Sequence, residues 1–117
     1  MTGGPLTGGA FTVACVQTNS AREPEVNIRA VSDLIRRARD AGAAFILAPE
    51  IVNMLEPERD LLLQKANPES DDPALAAFCA LARETGAWLL AGSLALRAED
   101  DAERCVNRSF LIGPAGD

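Results

Sequence analysis

Glu50 is the residue in this chain best placed to do chemistry. It follows Pro49 at the end of the apolar run 43–48. A carboxylate at the carboxyl end of a parallel strand stands where open α/β sheets bind ligands. Desolvation there raises a carboxylate's pKa toward the range useful for proton transfer. Spacing alone reads no further than a solvated residue at a strand end. Asn53 and Met54 follow closely and are candidates to line a substrate pocket, with loop packing as the competing reading. The chain has no histidine. That removes a Ser-His-Asp triad, a Cys-His pair and an HExxH metal site, and leaves a carboxylate as the general base.

The other reactive side chains are sparse. Cys15, Cys79 and Cys105 are far apart and form no CxxC pair. An odd cysteine count without a secretion signal predicts reduced thiols in a cytoplasmic compartment. Lys65, the sole lysine, falls in a short helical stretch and reads as a solvated residue. No ligand cluster is visible, so neither metal nor cofactor is implied.

The elements that must carry Glu50 read as β-α-β. Residues 11–17 are β-branched and mostly apolar, which predicts a buried strand. Over 25–41, Val26, Ala30, Val31, Leu34, Ile35, Ala38 and Ala41 make one helical stripe, and Gly42 is its stop. The continuous apolar run 43–48 then predicts a parallel strand. A short helix is expected over 56–66, opened by Pro57, and a polar loop over 67–72. A second long helix runs from Pro73 to Thr85, with Asp71 or Asp72 as its cap. Residues 87–91 read as a third buried strand, continuing over 94–97 after a bend at Gly92-Ser93. A charged hairpin loop, 98–104, leads to a last strand over 105–112.

With 117 residues, 48% of them hydrophobic and 24% charged, the chain fits one ordinary globular domain. Residues 1–10, glycine-rich and without a basic or long apolar segment, read as a flexible lead-in rather than a signal peptide. No apolar run is long enough to span a membrane. The net charge of −6 comes without a basic stripe, which argues against nucleic acid as a partner. A final strand followed only by a turn leaves a sheet edge or face without cover, as in a piece of a larger α/β domain.

Taken in order, Val13-Ala-Cys-Val-Gln17, Asn27 early in a helix, Ala41-Gly-Ala43, Ala48-Pro-Glu50, Gly92-Ser93 and the run Asn107 to Gly116 resemble the successive landmarks of the nitrilase superfamily of carbon–nitrogen hydrolases. The resemblance covers nearly everything from Phe11 onward. It implies an αββα sandwich, of which residues 11–117 would be the N-terminal part. It also implies a Glu-Lys-Cys triad that hydrolyses small-molecule amides or nitriles, with no cofactor, in proteins that form homo-oligomers. Only the glutamate carries over, onto Glu50. The family's lysine would come just after residue 117 and its cysteine much later. Lys65 is on the wrong element, and the three cysteines read as small buried hydrophobes or bystanders. Asn107 and Asn27 carry over as structural residues, Asn107 as a holder of a loop. The stretches around Glu50 and Asn107 look most like the small-amidase branch that includes ω-amidases and deaminated-glutathione amidases. The chain alone is expected to be inactive.

Two other classes remain. A non-catalytic binding module could keep the same half-fold. A phosphate-binding α/β protein would need a glycine-rich loop after the first strand, and residues 18–23 contain no glycine.

Overall fold

Three parallel strands with helices between them, and one antiparallel hairpin strand, make up the sheet of the computed structural model, which describes residues 9–117. In chain order these are β1 (Val13–Cys15), α1 (Pro24–Asp40), β2 (Phe45–Ala48), α2 (Arg59–Lys65), a 3₁₀ turn (Glu69–Asp71), α3 (Pro73–Thr85), β3 (Trp88–Arg97) and β4 (Cys105–Ile112). The sheet order is β1-β2-β3-β4. β1 and β3 flank β2 in parallel, and β4 pairs antiparallel with β3. Most of the expected lead-in, residues 1–8, lies outside the described residues.

The core lies between the sheet and two helices. Val31, Ile35 and Ala38 of α1 and Ala74, Phe78, Leu81 and Ala82 of α3 pack on Ile46 and Ala48 of β2 and on Leu89, Ala91, Leu94 and Leu96 of β3. The stripe on α1 buries as its 3.6-residue period requires, with Val31 at 2% and Ile35 at 0% exposure. Pro24 occupies the first turn, where its missing N–H costs nothing. Asp72 caps α3 by accepting from Leu75 N at 2.8 Å. Gly86 ends that helix at φ +67°, the left-handed position that glycine takes without a Cβ clash.

The sheet's second face tells a different story. Period-two alternation turns Phe45, Leu47, Trp88 and Leu90 away from the helices. They are only half-buried, and Leu111 beside them is exposed. One α layer and one β layer are therefore present, which is half of an αββα sandwich, and the open apolar face is the one that a second sheet covers in that architecture.

Several boundaries differ from expectation for local reasons. β1 is three residues long rather than seven, and it is not buried: Phe11 and Val13 are about half exposed. It is an edge strand with a single neighbour, and its outer face has no cover among the described residues. Cys15 is consequently exposed instead of packed. β2 starts at Phe45, because Ala43 N bonds back to Ala38 O and Ala44 N bonds to Thr12 O. α2 starts at Arg59, two residues after Pro57. Glu56 is held inside, and its Oε2 accepts from Glu58 N at 3.1 Å, which keeps the backbone extended there. The expected polar loop includes the 3₁₀ turn. Residues 88–97 form one strand with a bulge between Ala91 and Leu94, so Gly92-Ser93 shifts the register without ending the strand.

Candidate active site

Glu50 lies directly after the carboxyl end of β2 in a tight turn. With Thr18, Asn19, Ser20, Pro49, Ile51 and Leu55 it lines an open cleft of about 320 Å³. The two walls come from the segments that leave β1 and β2, at the carboxyl edge of the parallel strands, where ligands of such sheets bind. Glu50 itself is exposed. The partial desolvation expected of it is not supplied by the described residues. Thr18 Oγ1 is the one buried side-chain oxygen among them without a hydrogen-bond partner.

The turn that presents Glu50 is strained and clamped. Ile51 has φ +49°, the left-handed region, where a β-branched residue is a true outlier. Such a conformation costs of the order of 1–3 kcal/mol and persists only where the surroundings enforce it. The bulge in β3 does the enforcing. Ser93 Oγ accepts from Ile51 N at 2.8 Å, and Ser93 O accepts from Val52 N at 3.1 Å. Ser20 Oγ donates to Ile51 O from the opposite wall at 3.4 Å. Gly92 makes the close approach possible: a Cβ there would stand 2.6 Å from Ala48 O and 2.6 Å from Pro49 C. On the β4 side, the Ser109 hydroxyl donates to Gly92 O.

Two asparagines complete the frame. Asn53 is 2% exposed. Its side-chain amide pairs with one backbone residue in both directions: Ala95 N donates to Oδ1 and Nδ2 donates to Ala95 O, each at 2.9 Å. β2 ends opposite Ala91, so this amide continues, as a side chain, the hydrogen bonding that β3 would otherwise lose. Asn27, 5% exposed, reaches from α1 to both cleft walls. Its Oδ1 accepts from Ala21 N at 2.7 Å, and its Nδ2 donates to Ala21 O at 2.8 Å and to Asn53 O at 2.9 Å.

The structure thus separates the sequence-derived candidates. Glu50 faces the cleft. Asn53 and Met54 do not line it: the amide of Asn53 is used on Ala95, and Met54, 1% exposed, packs with Ala66 and Ala95. Asn107 is exposed on β4 opposite Ala95, and the loop-holding expected of it is done by Asn27 and Asn53. Lys65 is only partly exposed, and its charge is paired. Its Nζ lies 2.6 Å from Glu56 Oε1 and 3.1 Å from Glu23 Oε1, and it donates to Arg22 O. The Glu56 side chain is fully enclosed, and its hydrogen bond from Lys65 holds its carboxyl below the usual glutamate range. Through Glu23 and the Arg22 carbonyl, Lys65 also ties the end of α2 to the start of α1. Cys79 packs against the core from a half-buried position, and burial pushes the half-buried Cys105 thiol up, which disfavours a thiolate. Sequence reasoning missed Thr18, Ser20, Ser93 and Leu55. A serine beside a glycine at a bend was the visible sign of Ser93, but its partner 42 residues away is a product of the fold.

The carbon-nitrogen hydrolase family model matches residues 12–117. The chain belongs to that family. This family member is 29% identical over 109 residues to a nitrilase of Pyrococcus abyssi, an alignment that takes in 89% of this chain and 39% of that protein. In fold it is similar to the NitFhit protein of C. elegans, with a TM-score of 0.81 at 24% identity over 90% of this chain and 25% of that one. It is also similar to an amidase of the nitrilase superfamily from Nesterenkonia AN1, with a TM-score of 0.76 at 22% identity over 97% of this chain and 42% of that one. The chain therefore spans about two-fifths of the length of the curated relative it matches.

Proposed function

We propose that the protein hydrolyses a carbon–nitrogen bond of a small-molecule amide or nitrile, with Glu50 as the general base. The observation that carries this reading is the placement of Glu50: the carboxylate opens into a cleft at the carboxyl edge of the parallel strands, on a strained turn held by four hydrogen bonds from three other segments. Strain maintained by so many contacts marks a site where position matters. The remaining members of a Glu-Lys-Cys triad are not contributed by Lys65 or by the three cysteines, which sit on other elements in structural or exposed positions. In the complete reaction a thiolate adds to the substrate carbon, a lysine stabilises the negative charge that develops, and the departing nitrogen takes the proton that Glu50 received. Water then hydrolyses the thioester, with Glu50 again accepting its proton.

A glutamate-to-glutamine mutant of a similar Nesterenkonia sp. AN1 amidase was solved with acrylamide joined to its active-site cysteine by Michael addition, which supports a nucleophilic cysteine within reach of an amide-bearing molecule in this fold. The three free thiols support a reducing, cytoplasmic setting, and a homo-oligomer is part of the same reading. The test is to express the product of the complete reading frame beside residues 1–117 and assay both against small amides and nitriles. Turnover by the complete product, lost in Glu50→Gln, with none from residues 1–117, is expected. Full activity in Glu50→Gln would sink the assignment. A folded complete product with no turnover on any amide or nitrile would favour a non-catalytic binding module.

A further inference from the structure

We infer that Ser93 is a positioning residue for Glu50: through its hydroxyl it holds Ile51 in the left-handed conformation that turns the Glu50 carboxylate into the cleft. The inference rests on the proposed role of Glu50 and names what keeps that residue in place. Ile51 is the one non-glycine residue at positive φ among those described, and it is β-branched, so the chain does not choose this geometry locally. Its N–H has one partner, Ser93 Oγ at 2.8 Å, and the next amide, Val52 N, bonds to Ser93 O. Both groups of Ser93 therefore act on the residues immediately after Glu50. Ser93 is 8% exposed and lies in a bulge, which frees it from the ladder to β4 and re-aims it toward the β2 turn. Gly92 lets the two strands close to that distance, and Ser109 fixes the bulge from behind.

If Ser93 is lost, Ile51 relaxes toward negative φ and the carboxylate swings out of line, because one backbone rotation at residue 51 redirects the peptide that precedes it. A displacement near 1 Å is enough to cost a reaction about a hundredfold. Ser93 touches neither substrate nor nucleophile in this scheme, so its loss should lower kcat and leave KM nearly unchanged.

Four variants of the complete gene product test this: Ser93→Ala, Ser93→Thr, Ser93→Ala combined with Ile51→Gly, and Glu50→Gln. Expected are a roughly ten- to hundredfold fall in kcat for Ser93→Ala with KM held, recovery in Ser93→Thr, and partial recovery in the double variant, since glycine takes positive φ unaided. A purely structural role would not be rescued by glycine at 51. Full kcat in Ser93→Ala, with Glu50→Gln inactive, overturns the role of Ser93 and leaves that of Glu50 standing. An active Glu50→Gln instead overturns the reading beneath it. Amide exchange at Ile51, measured on the complete gene product, is independent of turnover. It should accelerate in Ser93→Ala, and unchanged protection would refute the clamp.

Discussion

Replacing Asn53 by alanine should be among the most damaging single changes in this chain, though Asn53 is polar and lies outside every helix and strand. The side-chain amide satisfies both backbone groups of Ala95, a residue only 4% exposed. Truncation leaves a donor and an acceptor buried without partners, at about 1–3 kcal/mol each. A water entering the vacated space would recover part of that, so about 3 kcal/mol is a fair expectation. For a domain whose whole stability is of the order of 5–15 kcal/mol, the loss is large. It corresponds to a fall in Tm of roughly 10 °C for a chain of this size. Urea denaturation of the parent and Asn53→Ala, analysed with a common m-value, measures it directly. Asn53→Asp separates the two bonds. It keeps an acceptor for Ala95 N but faces a carboxylate to Ala95 O, and it should be at least as destabilising. A loss under about 0.5 kcal/mol for Asn53→Ala, with the Ala95 amide still slow to exchange, would show that the pair is incidental.

Two further perturbations follow from the same frame. Gly92→Ala places a Cβ 2.6 Å from backbone atoms of Ala48 and Pro49, neither of which is a flexible tip that can step aside. It should cost about 1–3 kcal/mol as overpacking and displace the Glu50 turn, seen as altered amide shifts at residues 49–52; an unchanged spectrum would contradict the close approach. Glu56→Gln tests the enclosed ion pair through pH. Glu56 lies below its ordinary value, chiefly through the hydrogen bond from Lys65, so its contribution is complete above the ordinary glutamate range and is lost as pH falls through the lowered value. Lys65 is raised, chiefly by Glu56, so its share is present below the ordinary lysine value and is lost only above it. The Tm gap between parent and Glu56→Gln should hold across neutral pH and close in acid, and a gap constant down to about pH 2 would refute the pairing.

The legible part of this chain was its periodicity. α1 and α3 could be placed within a residue or two because a continuous apolar stripe and a proline start are local facts. β2 and Glu50 at its end followed from the apolar run and from the ordered motifs around it. The illegible part was everything that depends on what is not adjacent in sequence. The residues of β1 look core-like by type, but a strand at a sheet edge with one open face leaves them half exposed. Lys65 has the composition of a solvated helix residue, and only the fold brings Glu56 and Glu23 to it. Asn53, three residues past a candidate base, reads as a pocket residue by proximity. The period-breaking turn at Ile51 instead points its side chain inward, toward a strand 42 residues away.

These misplacements share a physical origin. β3 is ten residues long and β2 only four, so β3 runs on past its parallel neighbour with unpaired backbone groups on that edge. Those groups cannot stay buried and unsatisfied. The segment after Glu50 is shaped by that demand: Val52 N meets Ser93 O, the Asn53 amide meets Ala95, and Asn67 O accepts from Arg97 N, in order along β3. A mismatch in strand length thereby becomes a device that holds the turn carrying Glu50. The loop cannot drift without breaking bonds the sheet requires, and the strain at Ile51 is sustained by the same contacts. Glu50 is exposed, yet the main chain directly after it is held by Ser20, Ser93 and Asn27. Such a carboxylate is preorganised by backbone geometry.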